Sequence, residues 1–347
     1  MNHEIKKKTQ LLKANGHLNE KGYATRMNFI YNKECAKSSP MPLKEWNFYQ
    51  FHCEHYALQL TLGHLTYIGQ MAVTLIDLST GEKWGYSTIK PFFIPKLDQN
   101  PELPSVCEYK NEEAHLVFRV TENKRKLSFR GSNETYPPVA KSDNKQSSIH
   151  GIEISLSIEN DPANEKMVIA TPFAKPTQFY LNYKENYYKA NGVIRFGDKK
   201  VNFVDATGLL DWGRGVWPYS HEWYWGSLTS HIDGIPFGFN IGWGFGDTRH
   251  ATENTYFYNK KAYKVGKLIG EWDDNNLMAV KHYHDKENKI QLTFTPTYDN
   301  YTFNEFVVVD THCHQVYGLF SGTIETEDGP KSFENVLGFI EHAVNRW

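Results

Sequence analysis

The sequence predicts an all-β protein of two sequential antiparallel β-barrel or sandwich domains, on three observations. Apolar and polar residues alternate over short runs, no stretch keeps an apolar period of 3.6 residues, and aromatic residues make up 15% of the chain. Aromatic side chains favour the pleated surface of strands, and short strands at regular spacing build sandwiches or barrels. A length of 347 residues suits two such domains.

Taken in order, the chain begins with a polar segment, residues 1–40, in which residues 7–14 could form one short helix ended by Gly16. The texture changes at Leu43. Tyr56-Ala-Leu-Gln-Leu-Thr-Leu alternates with period two, residues 66–78 follow, and a turn at Ser79-Thr80-Gly81 leads into residues 83–89. Residues 115–120 and 126–130 flank a turn at Glu122-Asn123-Lys124, and Ile152, Ile154, Leu156 and Ile158 alternate. A polar loop is expected over residues 140–148. Residues 178–183 and 193–196 are strands, and Gly197-Asp198 turns into residues 200–204. The first domain is expected over 41–198 and the second over 199–347, packed tightly because no Pro- or Ser-rich linker separates them. In the second, Asp233-Gly234 joins residues 224–232 and 235–245. Residues 255–258, 262–268, 277–284 and 290–294 are further strands, and a turn at Asp328-Gly329 closes the last hairpin.

Charged residues are 22% of the chain, the net charge is -2 and no long basic block occurs, which argues against a nucleic-acid partner. Cys35, Cys53, Cys107 and Cys313 are widely spaced and form no CxxC pair. Residues 1–16 lack the apolar run of a signal peptide, and no stretch approaches transmembrane length. The expectation is a soluble, cytoplasmic protein with reduced thiols.

Two segments concentrate chemistry. DWGRGVWPYSHEWYWG, Asp211 to Gly226, packs four Trp residues with Asp211, Arg214, His221 and Glu222. Trp217, Trp223 and Trp225 could wall a pocket, with Tyr219 beside them, and charge among such walls shifts pKa values. The bland alternative is a buried Asp211–Arg214 pair that locks a domain connection. NIGWGFGDTRHATEN, Asn240 to Asn254, alternates Gly with aromatics, so one strand face is bare backbone that a ligand or another backbone can approach. It adds Trp243 as a wall, and Glu253 and Asn254 as polar groups.

Together, DWGRGVWPY, HEWYWG, IGWGFGD, ATEN, LKEWNFYQF, QVYGLFSG and GFIEHAVNRW resemble a bacterial family catalogued as a domain of unknown function, number 2804. That family is distantly similar to the calycin-like group of hydroxyneurosporene synthase, a carotenoid 1,2-hydratase, which also includes fungal polyketide cyclases. The resemblance implies two lipocalin-like barrels with a pocket between them. A D-H-Q-W-G motif opens the second domain of the hydratases; here Asp211-Trp212-Gly213 stands in its place without the His and Gln. Only Asp211 is therefore carried over, with Trp212 and Gly213 as its frame.

The expected function is acid-base chemistry, of hydratase or cyclase type, on an apolar isoprenoid- or polyketide-like molecule. Asp211 is the candidate acid, and His221 or Glu253 its partner. Aromatic faces would stabilise a carbocation. The alternative is a carrier that holds a lipid-like ligand without chemistry. No cofactor is expected. His282 with His284 and His312 with His314 have the spacing of a metal set, but their hairpin-like contexts argue for exposed side chains and no metal.

Overall fold

The computed structural model describes residues 2–38, 42–132, 135–136, 148–305 and 310–347. It is built from two curled antiparallel half-barrel sheets, as expected for the all-β class. The expected helix over residues 7–14 does not form: short extended pairings run there instead, with Thr9–Gln10 beside Phe29–Ile30. The loop expected over 140–148 lies, apart from Ser148, outside the described residues.

The first sheet contains β1 (Gly22–Ala24), β2 (Leu43–Cys53), β3 (Tyr56–Leu65), β4 (Ile68–Asp77), β5 (Glu82–Pro91), β6 (Ser105–Lys110), β7 (Ala114–Val120), β8 (Lys124–Gly131), β9 (Ile152–Glu159), β10 (Met167–Pro172), β11 (Phe179–Phe196) and β12 (Lys199–Val216). Among the described residues its order is β5-β4-β3-β2-β12-β11-β9-β8-β7-β6, and β10 bridges β11 to β1. The second contains β13 (Ser220–Ile232), β14 (Ile235–Trp243), β15 (Thr255–Tyr258), β16 (Lys261–Lys264), β17 (Leu268–Ile269), β18 (Lys281–Asp285), β19 (Ile290–Glu305), β20 (Asp310–Thr326) and β21 (Gly329–Arg346). Its order is β16-β15-β14-β13-β21-β20-β19-β18-β17.

Hairpin chemistry sets this path. Asp233 and Gly234 both take positive φ, 52° and 77°, the left-handed pair that matches strand twist and joins β13 to β14. Gly197-Asp198 likewise joins β11 to β12. The last hairpin turns one residue earlier than expected, at Glu327-Asp328, with Thr326 opposite Gly329. The two strands expected on either side of residue 190 are one strand, β11, which absorbs two register shifts along its 18 residues. Residue 198 is not where the chain changes sheet: β12 pairs with β11 and β2 as far as Val216, and the second sheet begins at Ser220.

Period two decides what each strand buries. In β2, Tyr49 and Phe51 enter the core of the first half-barrel, where Tyr49 packs edge-on to Phe118 with centroids 4.9 Å apart. Their neighbours Phe48, Gln50 and His52 point the other way, toward the second sheet. Phe48 meets Trp225 with centroids 6.2 Å apart, and His52 meets Tyr317 at 5.7 Å. Ala57, Ile76 and Leu209 of the first sheet pack with Trp225, Tyr317 and Phe339 of the second. The central strands are thus buried on both faces. Glutamines stitch the seam: Gln59 Nε2 donates to Gln50 Oε1 at 2.9 Å and to Gln315 Oε1 at 2.6 Å.

Candidate active site between the two sheets

Where the sheets diverge they leave a cavity of about 480 Å³. The same alternation supplies its walls. Lys44, Trp46 and Phe48 face it from β2, Tyr180 and Lys184 from β11, and Asp211 from β12. The second sheet adds Trp223 and Trp225 from β13, Gln315 from β20 and Glu341 from β21. Glycine makes room at two positions. A Cβ on Gly213 would lie 2.0 Å from the Trp46 ring, so a bare backbone lets that indole lie flat on β12. A Cβ on Gly242 would lie 2.5 Å from the Glu253 carboxyl carbon. The bare face expected in NIGWGFG therefore receives the Glu253 side chain rather than leaving β14 open to a ligand.

Among the walls sits an unequal set of charges. Lys184 Nζ lies 3.2 Å from Asp211 Oδ2 and 3.6 Å from the centroid of the Trp225 ring. Asn182 Nδ2 donates to Asp211 Oδ1 at 2.7 Å. Two further carboxyls share this ammonium, and one of them, Glu253, also feels Lys264. Glu341 accepts from Trp223 Nε1 at 2.7 Å and from Gln315 Nε2 at 3.2 Å. Glu253 accepts only a long contact of 3.4 Å from Asn240 Nδ2, and Asn240 Oδ1 in turn holds Trp225 Nε1 at 2.7 Å. The surface that Glu253 retains faces the cavity. Desolvation, with the nearby Asp211 carboxylate, raises the pKa of Glu253 and of Glu341, and Lys184, joined at Glu253 by Lys264, only partly opposes it. A buried carboxyl without enough cations near it keeps its proton. The arrangement can therefore present a carboxylic acid, ringed by indoles, at a pH where free glutamate is ionised.

The sequence-predicted residues divide. Asp211 and Glu253 line the cavity, and so do Trp217, Trp223 and Trp225. His221 does not: it stacks on Trp223 with centroids 5.7 Å apart, behind the wall, and its Nδ1 meets the Pro218 carbonyl at 3.0 Å. Burial, and Lys44 nearby, push its pKa down to about 4. Trp243 points into the second half-barrel and stacks on Tyr224, with centroids 5.1 Å apart. Tyr219 is 45% exposed and is not part of the cavity wall. Asn254 is a buried brace that accepts from the Gly242 amide at 2.7 Å and donates to the Gly266 carbonyl at 2.9 Å. Nor does Asp211 pair with Arg214. An odd separation puts the two on opposite faces of β12. Arg214 turns into the first half-barrel, 3.2 Å from both Glu45 Oε1 and Asp98 Oδ1.

The paired histidines do not converge. His282 lies opposite Thr293 and His312 opposite Phe303, ten residues apart along β19, or roughly 33 Å of strand. His312 pairs with Asp310 at 3.0 Å and His314 with Asp299 at 2.7 Å. Ligand atoms of Glu305, Asp310 and His312 do come within 4.8 Å of one another, at a partly exposed edge where Asp310 also pairs with Arg346.

Lys184 and Glu341 are the site residues that sequence reasoning missed. Lys184 sits at strand spacing from Tyr180 and Asn182, a pattern that also describes a solvent-facing lysine. Glu341-His342 stood out only as a polar pair, and alternation separates them: Glu341 enters the cavity while His342 is buried on the other face of β21, stacked on Tyr224 with centroids 4.2 Å apart and 2.9 Å from Glu222.

Two of the solved structures that resemble the fold are the following. One is a protein of Nitrosomonas europaea assigned as AttH, at 10% identity and a TM-score of 0.46, with 90% of this chain and 95% of that chain covered. The other is kievitone hydratase from Nectria haematococca, at 13% identity and a TM-score of 0.46, with 97% of each chain covered. No curated protein matches the chain at a significant level. The model of the family described as domain of unknown function DUF2804 matches residues 2–347, and the chain belongs to that family.

Proposed function

We propose that the chain is an acid-base enzyme of hydratase or cyclase type that works on an apolar small molecule held between the two sheets. The observation that carries this reading is the excess of carboxyls: Asp211, Glu253 and Glu341 share the ammonium of Lys184, and Lys264, whose own burial draws its pKa down to about 7, adds to Glu253 alone. A carrier of greasy ligands needs no such cluster, and its burial is costly unless the charges are paired or used. Lys184 neutralises Asp211. Glu253, which has the fewest hydrogen-bond donors, keeps its proton and is the acid. It gives that proton to one carbon of an alkene, and the π pair becomes the new C–H bond. The faces of Trp223 and Trp225 stabilise the cation left on the other carbon. Water, or a hydroxyl of the same molecule, then adds to that carbon and passes its proton to Glu341, where the hydrogen bond from Trp223 Nε1 works against the desolvation that raises its pKa. Transfer of that proton from Glu341 to Glu253 completes the cycle.

Heavy water tests this. Isoprenoid and polyketide-like alkenes incubated with the protein in D₂O should gain carbon-bound deuterium, read by mass spectrometry. The Glu253→Gln variant should still bind the alkene and incorporate none. Binding by the wild-type protein without deuterium uptake across the panel would point to the carrier instead.

A further inference from the structure

The end of the cavity away from the carboxyls has the opposite imbalance. Lys44 is fully buried in β2, yet its Nζ has no hydrogen-bond partner among the described residues. It lies between two indoles, 5.3 Å from the Trp217 centroid and 4.9 Å from that of Trp347. Both indole Nε1–H groups are also buried and without an acceptor. A Cβ on Gly215, the residue paired with Lys44 across β2 and β12, would come within 2.4 Å of Trp217 Nε1, so glycine is what leaves that nitrogen in place. Lys44, Trp217 and Trp347 all line the cavity.

An ammonium and an indole nitrogen can only donate, so three buried donors wait here for an acceptor; His221 Nε2, buried and unpaired in the same cluster, makes a hydrogen bond to none of them. Leaving such groups unsatisfied costs free energy, which a bound acceptor would recover. The nearest strand neighbour with a carboxylate, Glu45, faces the other way and is held by Arg214 and His64. Burial alone draws the Lys44 pKa down to about 8, without an anion to offset it. One cation matches one negative charge, which suits a carboxylate better than a dianionic phosphate. Along β2, Lys44 is four residues from Phe48, which lies opposite Asp211, or about 13 Å of strand.

We propose that Lys44 and the indole N–H groups of Trp217 and Trp347 bind the carboxylate of an amphipathic ligand whose apolar body runs along the cavity toward Glu253 and Glu341. This rests on the reading of the cavity as a ligand site and adds the substrate class: an unsaturated carboxylic acid whose reacting carbons lie on the order of ten ångströms from its acid group.

The test is isothermal titration calorimetry at neutral pH with decanoate and with decan-1-ol, chains of equal length that differ in charge. The wild-type protein should bind decanoate about tenfold more tightly. Lys44→Met should lose that preference and bind decan-1-ol as before. It should also melt no lower than the wild type, since it replaces an unpaired buried charge with an apolar side chain. Equal binding of the two chains by the wild type, or a Lys44→Met protein that keeps the preference, would overturn the carboxylate site and leave the cavity reading intact. Failure of both chains to bind would remove the cavity reading and this inference with it.

Discussion

Asp211 and Arg214 stand three residues apart on one strand and belong to two buried charge clusters of different character. On the core side, the Arg214 guanidinium lies between Glu45 and Asp98, and its Nη2 donates to Asn47 Oδ1 at 2.9 Å. Glu45 also takes a hydrogen bond from Tyr31 at 2.8 Å and meets His64 at 2.7 Å. On the cavity side, Lys184 serves three carboxyls, and Lys264 adds to Glu253 alone. In the first cluster Arg214, Tyr31 and His64 hold Glu45 from several sides, even though Glu45 and His64 reach the cavity wall. In the second, Glu253 lines the cavity with one long hydrogen bond to its carboxyl. Among buried charges, a carboxyl left short of donors and cations marks a site, and one held from several sides marks a brace. The pKa directions agree: His64, Arg214 and Tyr31 hold the Glu45 carboxyl down at about 2 against its desolvation, while Glu253 and Glu341 are pushed up.

The comparison breaks first at Arg214. Arg214→Met should destabilise the protein by about 3–5 kcal/mol, because it strands two buried carboxylates, and urea unfolding reads this directly. A loss below about 1 kcal/mol would mean that the core cluster is not a brace. Lys184→Met should cost less, about 1–3 kcal/mol, since the carboxyls it leaves can keep protons.

The two clusters should also answer pH with opposite signs. Glu45, whose folded pKa is about 2 against 4.5, stabilises the fold above pH 4.5, and that contribution is lost as pH falls toward 2. It is worth about 3 kcal/mol at neutral pH. The melting-temperature deficit of Glu45→Gln should therefore shrink between pH 6 and pH 3. Glu253 is raised above 4.5, so its contribution is full below 4.5 and is lost as pH climbs through the folded value. Glu253→Gln should gain on the wild type as pH rises from 4.5. Matching slopes in the two variants would erase the distinction. The smallest effect is expected at His221, which sits behind the wall. His221→Phe should leave the binding of an apolar fluorescent probe unchanged, whereas Trp223→Ala should weaken it.

Much of this was legible in the sequence, and the limits are physical. Strand alternation and the Gly197-Asp198 and Asp233-Gly234 turns are local signals, and they survive folding because hairpins are local structures. The two aromatic segments were recognisable for the same reason, and they bring Asp211, Glu253, Trp217, Trp223 and Trp225 to one cavity. What alternation cannot say is which face of a strand meets a second sheet. Lys44, Lys184 and Glu341 look like ordinary outward residues until a second sheet covers them. Trp243 was placed on the wrong face for the same reason: it faces the core of its own half-barrel.

The measurement closest to the central claim is a carbon-13 NMR titration of the protein labelled at its glutamate side-chain carboxyls, with Glu253→Gln as the reference. The wild-type spectrum should contain a carboxyl resonance that titrates above the range of free glutamate and is missing from the variant. If every glutamate carboxyl titrates in the range of free glutamate, or if all the late-titrating resonances persist in Glu253→Gln, the cavity holds no acid at that position and the account fails.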